Sequence, residues 1–218
     1  MSNAFLGNRS APHDDLRPQR VSRAITFSGP KKTLGALAVL LSLLSGTVGS
    51  AQEVGVPASL QAELLAKLEA YDRKFAVRAG TTARVLILVE PGNAKSELSA
   101  NEMLSALKRL TSIGGLPHQE AIIPYTSAAT LAQRCTAERV SIVYVAPGLD
   151  GEISAIGAAL SNLSILTVGA LTSYVRQGIV LGFELESGRP KIVINLEQAR
   201  RQSVDFSSNV LRLMRVYR

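Results

Sequence analysis

Short, nearly all-apolar runs alternate along the chain with stretches in which apolar residues recur every three or four positions. The runs are Arg84–Val89 (RVLILV) and Val140–Ala146 (VSIVYVA), with Glu120–Ile123 and Ser164–Val168 as brief further strands. A strand apolar on both sides is covered on both faces, so these runs predict a parallel sheet between helices. The periodic stretches supply the helices. Residues 58–78 place Leu60, Leu64, Leu68, Tyr71 and Phe75 on one stripe, between Pro57 and Gly80 as start and stop signals. Ser96–Ile113 does the same with Leu98, Met103, Leu104, Leu107 and Leu110, and Gly114-Gly115 closes it. Ser127–Cys135 follows Thr126, a good cap residue, and Ile153–Leu160 turns Ile153, Ile156 and Leu160 inward.

From residue 179 the pattern changes. Ile179–Glu186 (IVLGFELE) alternates apolar and polar, Ser187-Gly188-Arg189-Pro190 is turn chemistry, and Lys191–Leu196 (KIVINL) returns. That is an antiparallel hairpin packed by one face. Helices over Glu197–Gln202 and Ser207–Tyr217 finish the chain, the last carrying Val210, Leu211, Met214 and Tyr217. The expected fold is α/β: a mostly parallel open sheet flanked by helices, with a C-terminal antiparallel hairpin and a closing helix. Residues 52–218 form one domain, large enough for a proper core.

Residues 1–51 differ in kind. Of the formal net charge of +7, they contribute +4 through Arg9, Arg17, Arg20, Arg23, Lys31 and Lys32 against Asp14 and Asp15. Lys31-Lys32 precede an apolar run from Leu34 to Leu44, and small residues Gly49 and Ala51 precede Gln52. A basic flank, a short apolar stretch and small residues at the exit describe a secretory leader cut near Ala51-Gln52. The destination expected is the periplasm; the alternative is a membrane anchor formed by an uncleaved leader. With the leader set aside the basic excess is small and scattered, and aromatics make up only 5% of the chain, so nucleic acid is not an expected partner.

The search for chemistry returns little. One Cys cannot close an internal disulfide, and Cys135 is expected to be a buried small hydrophobe. Neither phosphate-cradling glycine pattern nor a nucleophile elbow is present. No catalytic residue, metal ligand or cofactor is expected. His118, with Glu120 two residues on, reads as an ordinary loop-edge histidine, and the pairs Asp150/Glu152 and Glu184/Glu186 as a helix entry and a solvent-facing strand. In open α/β sheets ligands sit beyond the carboxyl ends of the strands, where strand order reverses. A ligand-binding lip there would use Gly92, Asn93, Gly148, Asp150 and Gly169.

The text of Ser164–Gly169 (SILTVG), Gly178–Ile194 (GIVLGFELESGRPKIVI) with Asn195, and Glu197–Arg215 (EQARRQSVDFSSNVLRLMR) resembles the YfiR family of small periplasmic proteins. Arg134-Cys135 and the strand Val140–Ala146 extend the likeness, which spans roughly residues 83–217. The resemblance implies a non-enzymatic regulator that holds a membrane-bound signalling protein, typically a diguanylate cyclase, inactive by binding its periplasmic part. A homodimer is the other association to consider. Expected contact surfaces are the exposed side of 58–78 and the hairpin 179–196. A reading of another class is a single-lobe periplasmic domain that binds a small ligand. A third, an enzyme using His118 with Asp150 or Glu120, requires those side chains to converge in one cleft.

Overall fold

The computed structural model describes residues 55–217; the leader, its cleavage point and the alternative anchor fall on residues 1–51, outside the described residues. The elements in chain order are α1 (Ala58–Glu69), α2 (Phe75–Ala79), β1 (Ala83–Val89), α3 (Ala94–Leu107), β2 (His118–Pro124), α4 (Ala128–Ala137), β3 (Ile142–Val145) and α5 (Ile153–Leu160). There follow β4 (Leu166–Gly169), α6 (Ser173–Arg176), β5 (Leu181–Glu186), β6 (Arg189–Asn195), α7 (Leu196–Arg201), α8 (Ser208–Leu211) and β7 (Arg215–Tyr217). The strands form one sheet in the order β2-β1-β3-β4-β5-β6-β7. All neighbours are parallel except the β5–β6 hairpin. The α/β class, the mostly parallel sheet and the hairpin are as the sequence predicts.

Both faces of the central strands are buried, and alternate residues serve opposite cores. Val85, Ile87, Val89, Ile142 and Tyr144 pack with α1, α2 and α3 through Leu65, Leu68, Phe75, Met103 and Leu107. Leu86, Leu88, Val143 and Val145 pack with α4, α5 and α6 through Leu131, Cys135, Ile153, Ile156, Leu160 and Tyr174. Cys135 is buried, as expected.

Four helix expectations are corrected at their ends, the simplest being α4, which is capped by Ser127 in place of Thr126 and runs on to Ala137. The stretch 58–78 is two helices, because Asp72 leaves the helix to bridge to Phe206. Its Oδ1 accepts from the backbone N–H groups of Lys74 and Asp205, both at 2.9 Å, so a distant segment takes over the backbone there. The buried face is Gln61, Ala62, Leu65, Leu68 and Glu69, while Tyr71 is exposed. Helix α3 begins at Ala94, capped by Asn93, and stops at Leu107; its buried face runs through Ser96, Ala100, Met103, Ala106 and Leu107, leaving Leu98 in solvent. The closing helix is only the turn of α8. The chain then extends and adds β7 alongside β6, where pairing with an open sheet edge outweighs the helical pattern. In the hairpin, the loop is two residues: Ser187 and Gly188 both have positive φ, 52° and 75°, the requirement of a type I′ turn.

Candidate functional site

The chain order of the strands reverses at β1, which has β2 on one side and β3 on the other. The loops leaving β1 and β3 are therefore neighbours. Glu90 starts the first: its N–H donates to Ser96 Oγ at 2.9 Å, and its Oε2 accepts from Asn93 Nδ2 at 2.5 Å. Asn93 Oδ1 in turn accepts from the N–H groups of Lys95 and Ser96, the cap that starts α3. Gly148, on the loop after β3, lies against this pair. A Cβ there would come within 2.6 Å of Glu90 Oε2 and 2.7 Å of Asn93 Nδ2, and φ is +106°. Only glycine lets the second loop approach this closely.

The remaining lip residues meet a different partner. Asp150 Oδ2 accepts from Tyr174 OH at 3.2 Å. Tyr174 is fully buried, and a Cβ on Gly169 would lie 3.0 Å from Tyr174 Cβ. Burial and the Asp150 carboxylate push the Tyr174 hydroxyl well above the usual phenol range. The structure thus gathers the five lip residues into two adjoining groups, Glu90/Asn93/Gly148 around Gly92's turn and Asp150/Tyr174/Gly169. Tyr174 itself has no signal in the sequence, because α6 is four residues long and carries no repeat. Small clefts of about 160 Å³ flank the lip, one lined by Ala170, Leu171, Thr172 and Phe183, the other by Tyr125, Ser127 and Leu131.

The other titratable pairs resolve individually. His118 opens β2 at the amino-terminal end of the sheet; its Nε2 donates to the Leu110 carbonyl at 3.1 Å and its Nδ1 is paired with Glu120. Asp150 follows β3 at the carboxyl end, so His118 and Glu120 converge and Asp150 does not join them. Asp150 and Glu152 also separate: Glu152 Oε2 accepts from Tyr125 OH at 2.8 Å, and desolvation together with that carboxylate pushes the phenol up to about 12. Glu184 and Glu186 are both held by Arg215 of β7, at 2.6 Å for Glu184, which gives them a structural job that the solvent-facing expectation lacked. Among the described residues, no group of three or more His, Cys, Asp or Glu could hold a metal ion, and no helix is long and apolar enough to cross a membrane.

Inside the molecule lies a charge cluster that the sequence reading does not contain. Arg78 Nη2 donates to Glu69 Oε2 at 2.7 Å and lies 2.7 Å from Asp72 Oδ2, with all three side chains shielded from water. Burial lifts the Glu69 carboxyl up to about 7; Arg78 opposes the rise and Asp72 adds to it. The i, i+3 and i+9 spacing of these residues is legible in the sequence. Their convergence depends on the break after α1, which is not.

Two solved structures share the fold at low identity. The L-Trp complex of an ABC domain from Streptococcus pneumoniae aligns with a TM-score of 0.52 at 14% identity, covering 74% of this chain and 62% of that one. A conserved domain protein from Vibrio cholerae O1 biovar El Tor aligns with a TM-score of 0.54 at 15% identity, covering 76% and 61%. This chain therefore spans about three fifths of the length of either. No curated protein matches it. The family model described as YfiR/HmsC-like matches residues 59–215, from the second residue of α1 to the first of β7, and on that match the chain belongs to the YfiR/HmsC-like family.

Proposed function

We propose that this chain is an exported, non-enzymatic regulator that restrains a membrane-bound signalling protein, such as a diguanylate cyclase, by binding its periplasmic part. The observation that carries the reading is the family match across 59–215, nearly the whole described body. The chemistry of the described residues is consistent with it: Asp72, Glu90, Glu120, Asp150, Glu152 and Glu184 are engaged by amide, imidazole, hydroxyl or guanidinium partners. The faces offered to a partner are the exposed side of α1 and α2, where Tyr71 and Val77 stand in solvent, and the β5–β6 hairpin. The test is affinity capture with the mature chain from solubilised membranes, followed by cyclase assay of the captured protein. Recovery of a membrane cyclase whose rate falls as chain is added supports the proposal. Recovery of no membrane signalling protein sinks it.

A second reading rests on the reversal of strand order at β1. In that reading the lip of Gly92, Asn93, Gly148, Asp150 and Gly169 is a single-lobe site for a small ligand. L-Trp, bound by the Streptococcus structure, is the first probe to try. Ligand binding raises apparent stability by mass action, so a thermal-shift screen across metabolites decides it. A stabilisation that Asp150→Asn abolishes supports the lip; a screen with no stabilising compound removes it.

A further inference from the structure

At the opposite, amino-terminal end of the sheet the chain leaves α4 in a conformation that ordinarily selects glycine. Arg139 has φ +51°. Its N–H donates to the Thr136 carbonyl at 3.3 Å, and the next N–H, of Val140, donates to the Cys135 carbonyl at 2.9 Å. This crossed pair of bonds ends a helix through one left-handed residue, which is usually glycine because a Cβ is strained there. Ser203 ends α7 through the same crossed pair at φ +55°, so what sets Arg139 apart is the surroundings of its side chain.

The Arg139 side chain is exposed, and with Arg84 it lines two adjoining clefts of about 440 and 810 Å³. The smaller cleft adds the hydroxyl residues Thr81, Thr82 and Ser164, together with Thr136, whose O–H donates to the Ala132 carbonyl at 2.9 Å, and contains no carboxylate. The acids lining the larger one are already engaged, Glu120 by His118 and Glu138 by Arg134 at 2.8 Å. Among the described residues, neither Arg84 nor Arg139 has an ion-pair partner. The carbonyls of Cys135 and Thr136 at the end of α4 accept from the backbone N–H groups of Val140 and Arg139. Two guanidinium groups, each a planar fork of donors, with hydroxyls beside them and the neighbouring acids already paired, match the phosphate or carboxylate of a small molecule.

We propose that Arg84 and Arg139 form an oxyanion-binding site in this cleft, distinct from the lip and independent of the regulator reading. The experiment is thermal unfolding of the full chain with inorganic phosphate, and separately with succinate, at constant ionic strength. At least one anion is expected to raise the Tm by several degrees, in line with ligand concentrations well above Kd. Arg139→Gly is expected to have a higher Tm than wild type without anion, since glycine removes the strain, yet to lose the anion-dependent rise. Arg84→Gln is expected to lose the rise as well. Three results overturn the proposal: no rise with either anion, an undiminished rise in both variants, or an Arg139→Gly chain less stable than wild type in anion-free buffer. Co-sedimentation with phosphatidylglycerol vesicles in the absence of any soluble-anion effect would assign the arginines to a lipid surface and overturn the small-molecule form.

Discussion

At the scale of single residues, the tightest constraints fall on positions with little or no side chain. Gly157 of α5 faces Gly178, where an added Cβ would stand 2.7 Å from the carbonyl oxygen and 3.0 Å from the carbonyl carbon. Replacing a helical glycine by alanine normally gains about 1 kcal/mol. Here the obstacle is backbone, and overpacking of that kind costs about 1–3 kcal/mol, so the sign reverses. Gly157→Ala is expected to lower stability in urea unfolding. Gly151→Ala, with nothing within 4 Å of its Cβ, is expected to stay within about 0.5 kcal/mol of wild type. Cys135 makes a second case. Its thiol is buried between Leu131 and the sheet, and desolvation pushes its pKa up to about 12. Since the thiolate is the reactive form, iodoacetamide at pH 8 is expected to leave the folded chain unmodified and to alkylate Cys135 fully in guanidinium. Modification of the folded chain at the rate of a free thiol would contradict the packing.

At the scale of elements, the central strands are legible in the sequence and several helix ends are not; α5 is found at its expected bounds, while β7 lies in a stretch that reads as helix. Val140–Ala146 announces itself because both its faces are buried and every residue must be apolar or small. Helix α3 half hides its inner face: Met103 and Leu107 are legible in it, but Ser96, Ala100 and Ala106 carry the rest while the more conspicuous Leu98 points outward. The break after α1 is set by Asp205, 133 residues away in sequence, and no local pattern records it. The same dependence makes the join testable. Asp72→Ala leaves the Lys74 and Asp205 amides without their acceptor, at about 1–3 kcal/mol for each one that stays buried. Asp72→Asn keeps a side-chain oxygen and is expected to recover at least half of the loss in denaturant unfolding. Arg73, whose pairing with Asp205 is solvent-exposed, is expected to cost under about 1 kcal/mol as Arg73→Ala. Of the candidate site, the glycines and Asn93 were legible as loop chemistry, whereas Tyr174 and the Arg139 conformation emerge only once the chain is folded.

At the scale of the whole molecule, the buried trio of Glu69, Asp72 and Arg78 couples stability to pH. The Glu69 carboxyl sits near 7 when folded, above the ordinary glutamate value of 4.5 that it regains on unfolding. Between those values the folded chain holds a proton that the unfolded chain releases, so this group makes stability rise as pH falls from about 7 toward 4.5 and fall as pH rises. Urea unfolding at pH 5.5 and pH 8 should show the wild type relatively stronger at the lower pH. Glu69→Gln, which cannot titrate, should flatten that difference; an unchanged profile in the variant would remove Glu69 as its source. The trio also has a mechanical meaning. Residues 71–73 and 205–207 are laced by backbone bonds from Arg73 to Asp205 at 3.0 Å and from Ser207 to Tyr71 at 3.2 Å, and Asp72 belongs to both the lacing and the trio. Fraying that starts in α1 and fraying that starts in β7 thus travel toward one knot from opposite directions. The lacing therefore ties the start of the described body to its end, and amide exchange is expected to slow at these few residues whichever tail is loosened first.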